Sequence, residues 1–290
     1  MRLAFLGTPE ASVPTLRALV AAGHDVQLVV TRPDRRRGRG GELSPSPVKT
    51  AALELGLRVV HRLGDLGGVD VERGVVVAYG AMIPAVLLTR IPMLNVHFSL
   101  LPRWRGAAPV ERAILAGDFE TGVCVMTLEP ELDTGPVHLE RRLPIDAKDA
   151  HTLTNELANL GAGALVEVLA SEDLLAHPTV QVGEVTYATK LTKETFHVTP
   201  ALSQAMVVRI VRLGRAFTFV NEARLGIEAA SIVSDVVAPG AVIRHDRRVL
   251  LGASDGAVAL DTVRPSGART MSAESWWDGA RFADEVVRWT

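Results

Sequence analysis

Two polar side chains stand out in the run Leu94-Asn95-Val96-His97-Phe98-Ser99-Leu100-Leu101-Pro102. If the run begins as a strand, Asn95 and His97 are two positions apart and project from one face, while Leu94 and Val96 pack on the other. A carboxamide beside an imidazole suits acyl chemistry. The amide NH2 stabilises an oxyanion, and the ring takes up or passes on a proton near neutral pH. The competing reading is a buried, hydrogen-bonded histidine at a strand end, and the pair alone leaves both open. A second polar segment, Glu131-Leu132-Asp133-Thr134-Gly135, forms a turn between two strand-like stretches. An aspartate there could orient the imidazole and bias its charge. It could equally satisfy its own turn backbone, and spacing alone does not bring Asp133 to His97.

Other chemistries lack residues to carry them. Gly7-Thr8-Pro9 is not a dinucleotide fingerprint, no Walker A segment occurs, and the eight histidines show no metal-ligand spacing. The single cysteine, Cys124, excludes an internal disulfide and a cysteine-based zinc cluster, and it reads as a small strand hydrophobe. One charge run is notable. Between Arg32 and Lys49 six cations (Arg32, Arg35, Arg36, Arg37, Arg39 and Lys49) face two anions (Asp34 and Glu42), a surplus of four in a chain whose net charge is −2. Gly38, Gly40 and Gly41 predict a flexible loop able to order on a partner, and arginine forks suit phosphates and base edges. The ordinary alternative is a solvated charged loop.

The elements around these residues point to two domains. Residues 3–6, 26–30, 74–78 and 94–97 are apolar strands separated by helical patterns. Ser12-Val13-Pro14 and Ser46-Pro47 open helices, the second with serine as N-cap and proline at the first helical position. This alternation predicts an α/β domain with a mainly parallel sheet, and ligands of such sheets bind beyond the carboxyl ends of the strands. After about residue 200 a helical stretch, 201–213, gives way to short strands at 227–233, 241–244, 249–251 and 258–263. Glycines punctuate these strands, which predicts a smaller β-barrel with Trp276 and Trp277 packing beneath it. The apolar run 3–6 is too short for an export signal. The longest uncharged stretch, 74–89, falls short of the ~18–20 residues that span a bilayer, so a soluble cytoplasmic protein is expected.

Taken together, Asn95-Val96-His97, Ser99-Leu100-Leu101-Pro102, Arg105-Gly106-Ala107-Ala108-Pro109 and Leu132-Asp133-Thr134-Gly135 resemble the signatures of the folate-dependent formyltransferases. The resemblance is closest to the branch acting on methionyl-tRNA. Gly7-Thr8-Pro9, Val77-Ala78-Tyr79-Gly80 with Ile83-Pro84, and Ser44-Pro45-Ser46-Pro47-Val48-Lys49 fit that branch. The match is dense over residues 1–170 and sparser beyond, at Tyr187-Ala188, Ala238-Pro239-Gly240 and Met271-Ser272-Ala273. The resemblance implies a Rossmann-like catalytic domain over 1–185, a linker over 186–200 and an oligonucleotide-binding-like barrel over 201–290. It implies Asn95, His97 and Asp133 as the catalytic trio. Ser99, Leu100, Leu101, Pro102, Ile83 and Pro84 would lie at the site of the 10-formyltetrahydrofolate donor. Arg35, Arg36, Arg37 and Arg39 would contact methionyl initiator tRNA, Arg39 matching the family's key arginine. No metal is implied, and the enzyme would act as a monomer. An amino sugar nucleotide formyltransferase, a formyl-folate hydrolase and a non-catalytic RNA-binding module are the alternatives.

Several positions depart from the family pattern. Glu131 stands where glycine is usual, Pro136 replaces an acidic residue, and Gly41-Glu42 replaces a basic pair. An Asp-Trp pair is missing around His197-Val198, and Thr218-Phe219-Val220 replaces a proline-tryptophan cluster. Residues 201–290 carry 11 Arg against 10 Asp plus Glu, so the C-terminal domain is barely basic.

Overall fold

Runs of branched and apolar residues flanked by glycine make the strands that organise the first half of the molecule. The computed structural model describes residues 1–37, 41–282 and 286–290. A seven-stranded sheet has the spatial order Val137–Pro144, Glu120–Thr127, Met93–His97, Arg73–Val77, Arg2–Gly7, Asp25–Val30, Val59–Val60. The five strands from Met93–His97 to Val59–Val60 are parallel, and the other two are added antiparallel at one edge. The three central parallel strands, Arg2–Gly7, Arg73–Val77 and Met93–His97, are buried along nearly their whole length, which explains why their sequences run apolar with little alternation. The mainly parallel α/β architecture expected from the sequence is therefore present. Strand order reverses between Arg2–Gly7 and Arg73–Val77, which opens a crevice beyond their carboxyl ends.

Helix Pro47–Glu54 starts as its sequence foretells: the Ser46 hydroxyl accepts the Lys49 N–H at 3.0 Å, with Pro47 at the first helical position. Helix Val13–Ala21 differs. The Ser12 hydroxyl caps nothing in the helix and instead donates to the Val77 carbonyl at 2.7 Å, tying the start of this helix to the carboxyl end of strand Arg73–Val77. The long helix Ala150–Ala170 buries Leu157, Gly161, Leu165 and Val168 at helical spacing. Gly161 is required there by close approach, since a Cβ would stand 2.6 Å from Cγ1 of Val96. Val96 therefore faces this helix, and the strand's alternation turns Asn95 and His97 to the opposite side.

The chain divides into two compact units. The first comprises Met1–Val110, Phe119–Asp146 and Leu153–Thr189, and the second Glu111–Asp118, Ala147–Thr152 and Lys190–Thr290. Tyr187–Ala188, which the sequence reading assigned to a joining segment, pairs in parallel with Arg105–Gly106 inside the first unit.

In the second unit an antiparallel sheet runs Phe217–Val220, Ala223–Val233, Gly256–Pro265, Arg248–Ala253, Ala241–His245, Val286–Arg288. It comes close to sealing into a barrel. Val220 bridges Trp289, and Phe219 and Thr290 exchange backbone hydrogen bonds at 3.0 and 3.1 Å. Leu225, Ile227, Val258, Leu260 and Trp289 fill the core, and helix Gln204–Val211 adds Val207, Ile210 and Val211. Trp276 is buried in this core and Trp277 packs against it, so both are packing residues as expected. The strands Phe217–Val220 and Val286–Arg288 were not foreseen.

Candidate active site

His97 is the last residue of its strand, and Cys124 stands opposite it in the neighbouring strand. Its ring is buried between two acceptors. Nε2 lies 2.9 Å from the Trp104 carbonyl oxygen, and Nδ1 lies 3.6 Å from Oδ2 of Asp133. A carbonyl only accepts, so Nε2 carries the hydrogen, and proton exchange falls to Nδ1. Asp133 is also buried, and its Oδ2 accepts the Gly106 N–H at 2.7 Å. The carboxylate is thus fixed by one backbone donor and turned toward Nδ1, the ring nitrogen not engaged by Trp104. Asn95 is buried too, and its carboxamide makes no hydrogen bond among the described residues, leaving two donors and an acceptor for an incoming carbonyl group. The trio implied by the sequence therefore lies in one unit, with His97 and Asp133 in direct apposition.

The backbone around the trio is held in unusual conformations. Asp133 has φ 52° and Trp104 φ 63°, both left-handed. Aspartate tolerates that region, whereas a tryptophan there costs about 1–2 kcal/mol and persists because its surroundings hold it. Trp104 donates its N–H to Oγ1 of Thr186 at 2.9 Å. Gly106 adopts φ 117°, and a Cβ on it would stand 2.8 Å from the Ala188 carbonyl oxygen. A Cβ on Gly135 would stand 1.9 Å from the Thr127 carbonyl oxygen, so the Asp133 turn lies directly on the sheet.

The residues expected at the donor site fall into two groups. Ser99 is fully buried and its hydroxyl donates to the Arg103 carbonyl at 2.6 Å, so it pins the turn of residues 99–104. Leu101 is buried, its N–H directed at Sγ of Cys124 at 3.4 Å, and the Leu101-Pro102 peptide is cis. Leu100 is half-buried, and Ile83 packs in the sheet core with Tyr79 and Leu87. Pro84, Met82 and Val86 present apolar surface to solvent beside Ile83.

Arg35–Arg37 pairs with Glu42–Ser44 as a two-stranded hairpin. Gly38 and Gly40, on which with Gly41 the expected flexible loop rests, lie outside the described residues. The Lys49 ammonium, 2.8 Å from both Asp34 oxygens, anchors the paired strands. Arg35 and Arg36 are exposed. Arg39 lies outside the described residues. At the crevice a cavity of about 250 Å³ is lined by Thr8, Arg32, Arg35, Ser44, Tyr79 and Gly80. Arg32 donates to the Gly80 carbonyl there, and burial pushes the Tyr79 phenol above its ordinary range while Arg32 opposes that rise. Cys124 is fully buried, and burial pushes its thiol up to about 12, leaving an inert hydrophobe. No cluster of three metal-ligating side chains occurs among the described residues, and no helix among them is long and apolar enough to cross a membrane.

Comparison with known proteins decides the family. The formyl transferase model matches residues 1–169, and the model of the formyl transferase C-terminal domain matches residues 190–281. The chain belongs to the formyl transferase family. It is 46% identical over 292 residues to the methionyl-tRNA formyltransferase of Rhizorhabdus wittichii, covering 94% of this chain and 93% of that one. It is 41% identical over 304 residues to that of Roseobacter denitrificans, covering 99% and 98%. Among solved structures, the sugar 3N-formyl transferase WlaRD, crystallised with dTDP and 5-N-formyl-THF, superimposes with a TM-score of 0.68 at 14% identity. That alignment covers 93% of this chain and 99% of WlaRD, a likeness of fold. Within this formyl transferase, sequence reasoning missed the Trp104 carbonyl, the Gly106 N–H and Gln181, whose carboxamide donates to the carbonyls of Asp133 and Gly135. Two of these are backbone groups, invisible to residue type, and Gln181 lies 48 residues from Asp133 in a segment with no motif.

Proposed function

We propose that this formyl transferase moves the formyl group of 10-formyltetrahydrofolate to the amino group of methionyl initiator tRNA, for translation initiation in the cytoplasm, and that it acts as a monomer. The observation that carries the reading is the near-full-length identity of 46% to a methionyl-tRNA formyltransferase, on a chain whose Asn95, His97 and Asp133 are all buried in one unit. The exposed Arg35 and Arg36 supply phosphate-binding forks suited to a tRNA acceptor end. The apolar surface of Pro84, Met82 and Val86 supports an aromatic donor nearby, and the half-buried Leu100 adds to it.

The chemistry follows from the three side chains. The neutral methionyl amine attacks the formyl carbon, forming a C–N bond and placing negative charge on the formyl oxygen. The Asn95 NH2 group, without a hydrogen bond among the described residues, donates to that oxygen. His97 receives the proton lost by the amine at Nδ1, because Nε2 is held by Trp104. The imidazolium that results stands 3.6 Å from Asp133, whose carboxylate stabilises it. The same proton then passes to N10 of the folate as the C–N10 bond breaks. Formyl-methionyl-tRNA and tetrahydrofolate leave, and the enzyme regains its starting charge.

The test is to offer the purified protein 10-formyltetrahydrofolate with charged initiator tRNA, charged elongator tRNA and a nucleotide-linked amino sugar, and to identify the formylated product. Formyl-methionyl initiator tRNA is expected. Formylated sugar, or formate released with no formylated acceptor, would overturn the assignment.

A further inference from the structure

The segment after helix Glu172–Ala176 returns across the site. Thr179 exchanges backbone hydrogen bonds with Val137 at 2.7 and 2.8 Å, just beyond the Asp133 turn. Farther along, the Thr186 hydroxyl and carbonyl each accept at 2.9 Å, from the Trp104 and Arg105 N–H groups, and the Ala188 carbonyl accepts the Ala107 N–H at 2.8 Å. The two neighbours of His97, the Trp104 carbonyl and the Asp133 carboxylate, are therefore both referenced to this one strap.

Between those anchor points a single side chain spans the two loops. The Gln181 Nε2 donates to the carbonyl oxygens of Asp133 at 2.9 Å and Gly135 at 2.8 Å. Its Oε1 accepts from Arg105 at Nε (3.1 Å) and at a terminal guanidinium nitrogen (2.6 Å). All four hydrogen-bonding positions of the carboxamide are filled, two on the Asp133 turn and two on the residue preceding Gly106. Gly106 in turn is the N–H donor to the Asp133 carboxylate. The ring of contacts closes: Gln181 grips the backbone of Asp133, Arg105 grips Gln181, and the residue after Arg105 grips the carboxylate.

We propose that Gln181 is a positioning residue for formyl transfer, setting the Asp133 carboxylate against Nδ1 of His97 by clamping the left-handed Asp133 turn to Arg105. The proposal rests on the formyl-transfer reading and deepens it. Gln181 touches no reacting atom and acts through Asp133. A glutamate here would keep the length and the Arg105 partner but lose both donors, facing two carbonyls with a carboxylate.

The test is a double-mutant cycle on the full chain. Gln181→Ala and Gln181→Glu should each lower kcat about 10- to 50-fold, with KM for folate donor and tRNA changed less than about threefold. In an Asp133→Ala background the same substitutions should change kcat less than about twofold, since the group they position is gone. A wild-type kcat in both variants, or an equal loss in both backgrounds, would overturn the proposal. A second readout needs no acceptor. In ¹⁵N-histidine spectra the His97 ring signals, assigned by their loss in His97→Gln, should move in the same direction in Gln181→Ala and Asp133→Ala. Unchanged His97 signals in Gln181→Ala would also overturn it. Absence of formyl transfer by the wild-type chain would instead fail the functional reading, leaving the spectra to decide the positioning claim.

Discussion

His97 lies between a carbonyl and a carboxylate, and the difference between those neighbours sets what the ring can do. The Trp104 carbonyl accepts only, so the hydrogen it holds on Nε2 is a constant and Nδ1, on the Asp133 side, is the nitrogen left to exchange a proton. At this scale Asn95 and His97 were legible as candidates because they stand two apart on a strand, whereas Asp133 joined them through the resemblance of its polar turn to a family motif. Their support was not legible. A carbonyl, an N–H and a glutamine 76 residues from the arginine it binds leave no mark in local spacing. The Ser99 hydroxyl, likewise, is bonded within its own turn to the Arg103 carbonyl, a partner that residue type does not announce. Cys124 gives a clean test of burial. With its thiol pushed up to about 12 by desolvation, against a weak opposing bond from the Leu101 N–H, the thiolate is scarce at pH 8. Iodoacetamide should leave it unlabelled in the folded chain and modify it fully after denaturation; rapid labelling of the native protein would contradict the packing.

At the scale of elements, the edge strand Val137–Pro144 is fastened by His138, whose ring joins Oγ1 of Thr127 and the Leu174 carbonyl, each at 2.8 Å. Burial lowers its pKa and Arg73 adds to the drop, while the Leu174 bond opposes it. The unfolded chain therefore binds the proton more readily than the folded one. This contribution to stability is present above the unfolded pKa, near 6.5, and is lost as pH falls through the lower folded value. His138→Gln should lower Tm by about 2–4 °C at pH 7.5, and the gap from wild type should narrow by pH 5. A gap that widens on acidification would reverse the sign of the argument. The strands legible in the sequence were those with continuous apolar runs or glycine-marked ends. Phe217–Val220 escaped because its hairpin turns on Asn221 and Glu222, φ 47° and 67°, and Asp246 and Arg247 make the same turn between Ala241–His245 and Arg248–Ala253. Both are two-residue turns of the type that asparagine-glycine signals most strongly, built here without glycine.

For the molecule as a whole, a net charge of −2 gives no general attraction to nucleic acid, and the basic surplus is concentrated in residues 32–49. That concentration was legible from composition, whereas the hairpin form of Arg35–Arg37 was not, because three adjacent arginines carry no strand signal. Arg35→Ala/Arg36→Ala should raise KM for tRNA about 5- to 10-fold with KM for the folate donor unchanged. The slope of log(kcat/KM) against log salt should become shallower by about 1.5–2, as expected when two phosphate contacts are lost. An unchanged salt slope would remove these arginines from tRNA binding.

The central claim is that Asn95, His97 and Asp133 act on one formyl group. Single-turnover formylation of methionyl initiator tRNA by Asn95→Ala, His97→Ala and Asp133→Ala, with folding checked by circular dichroism, tests it most directly. Each variant should slow the chemical step at least ~100-fold while remaining folded. A rate within a few-fold of wild type in any one of them would contradict the account for that residue, and such rates in all three would remove the site.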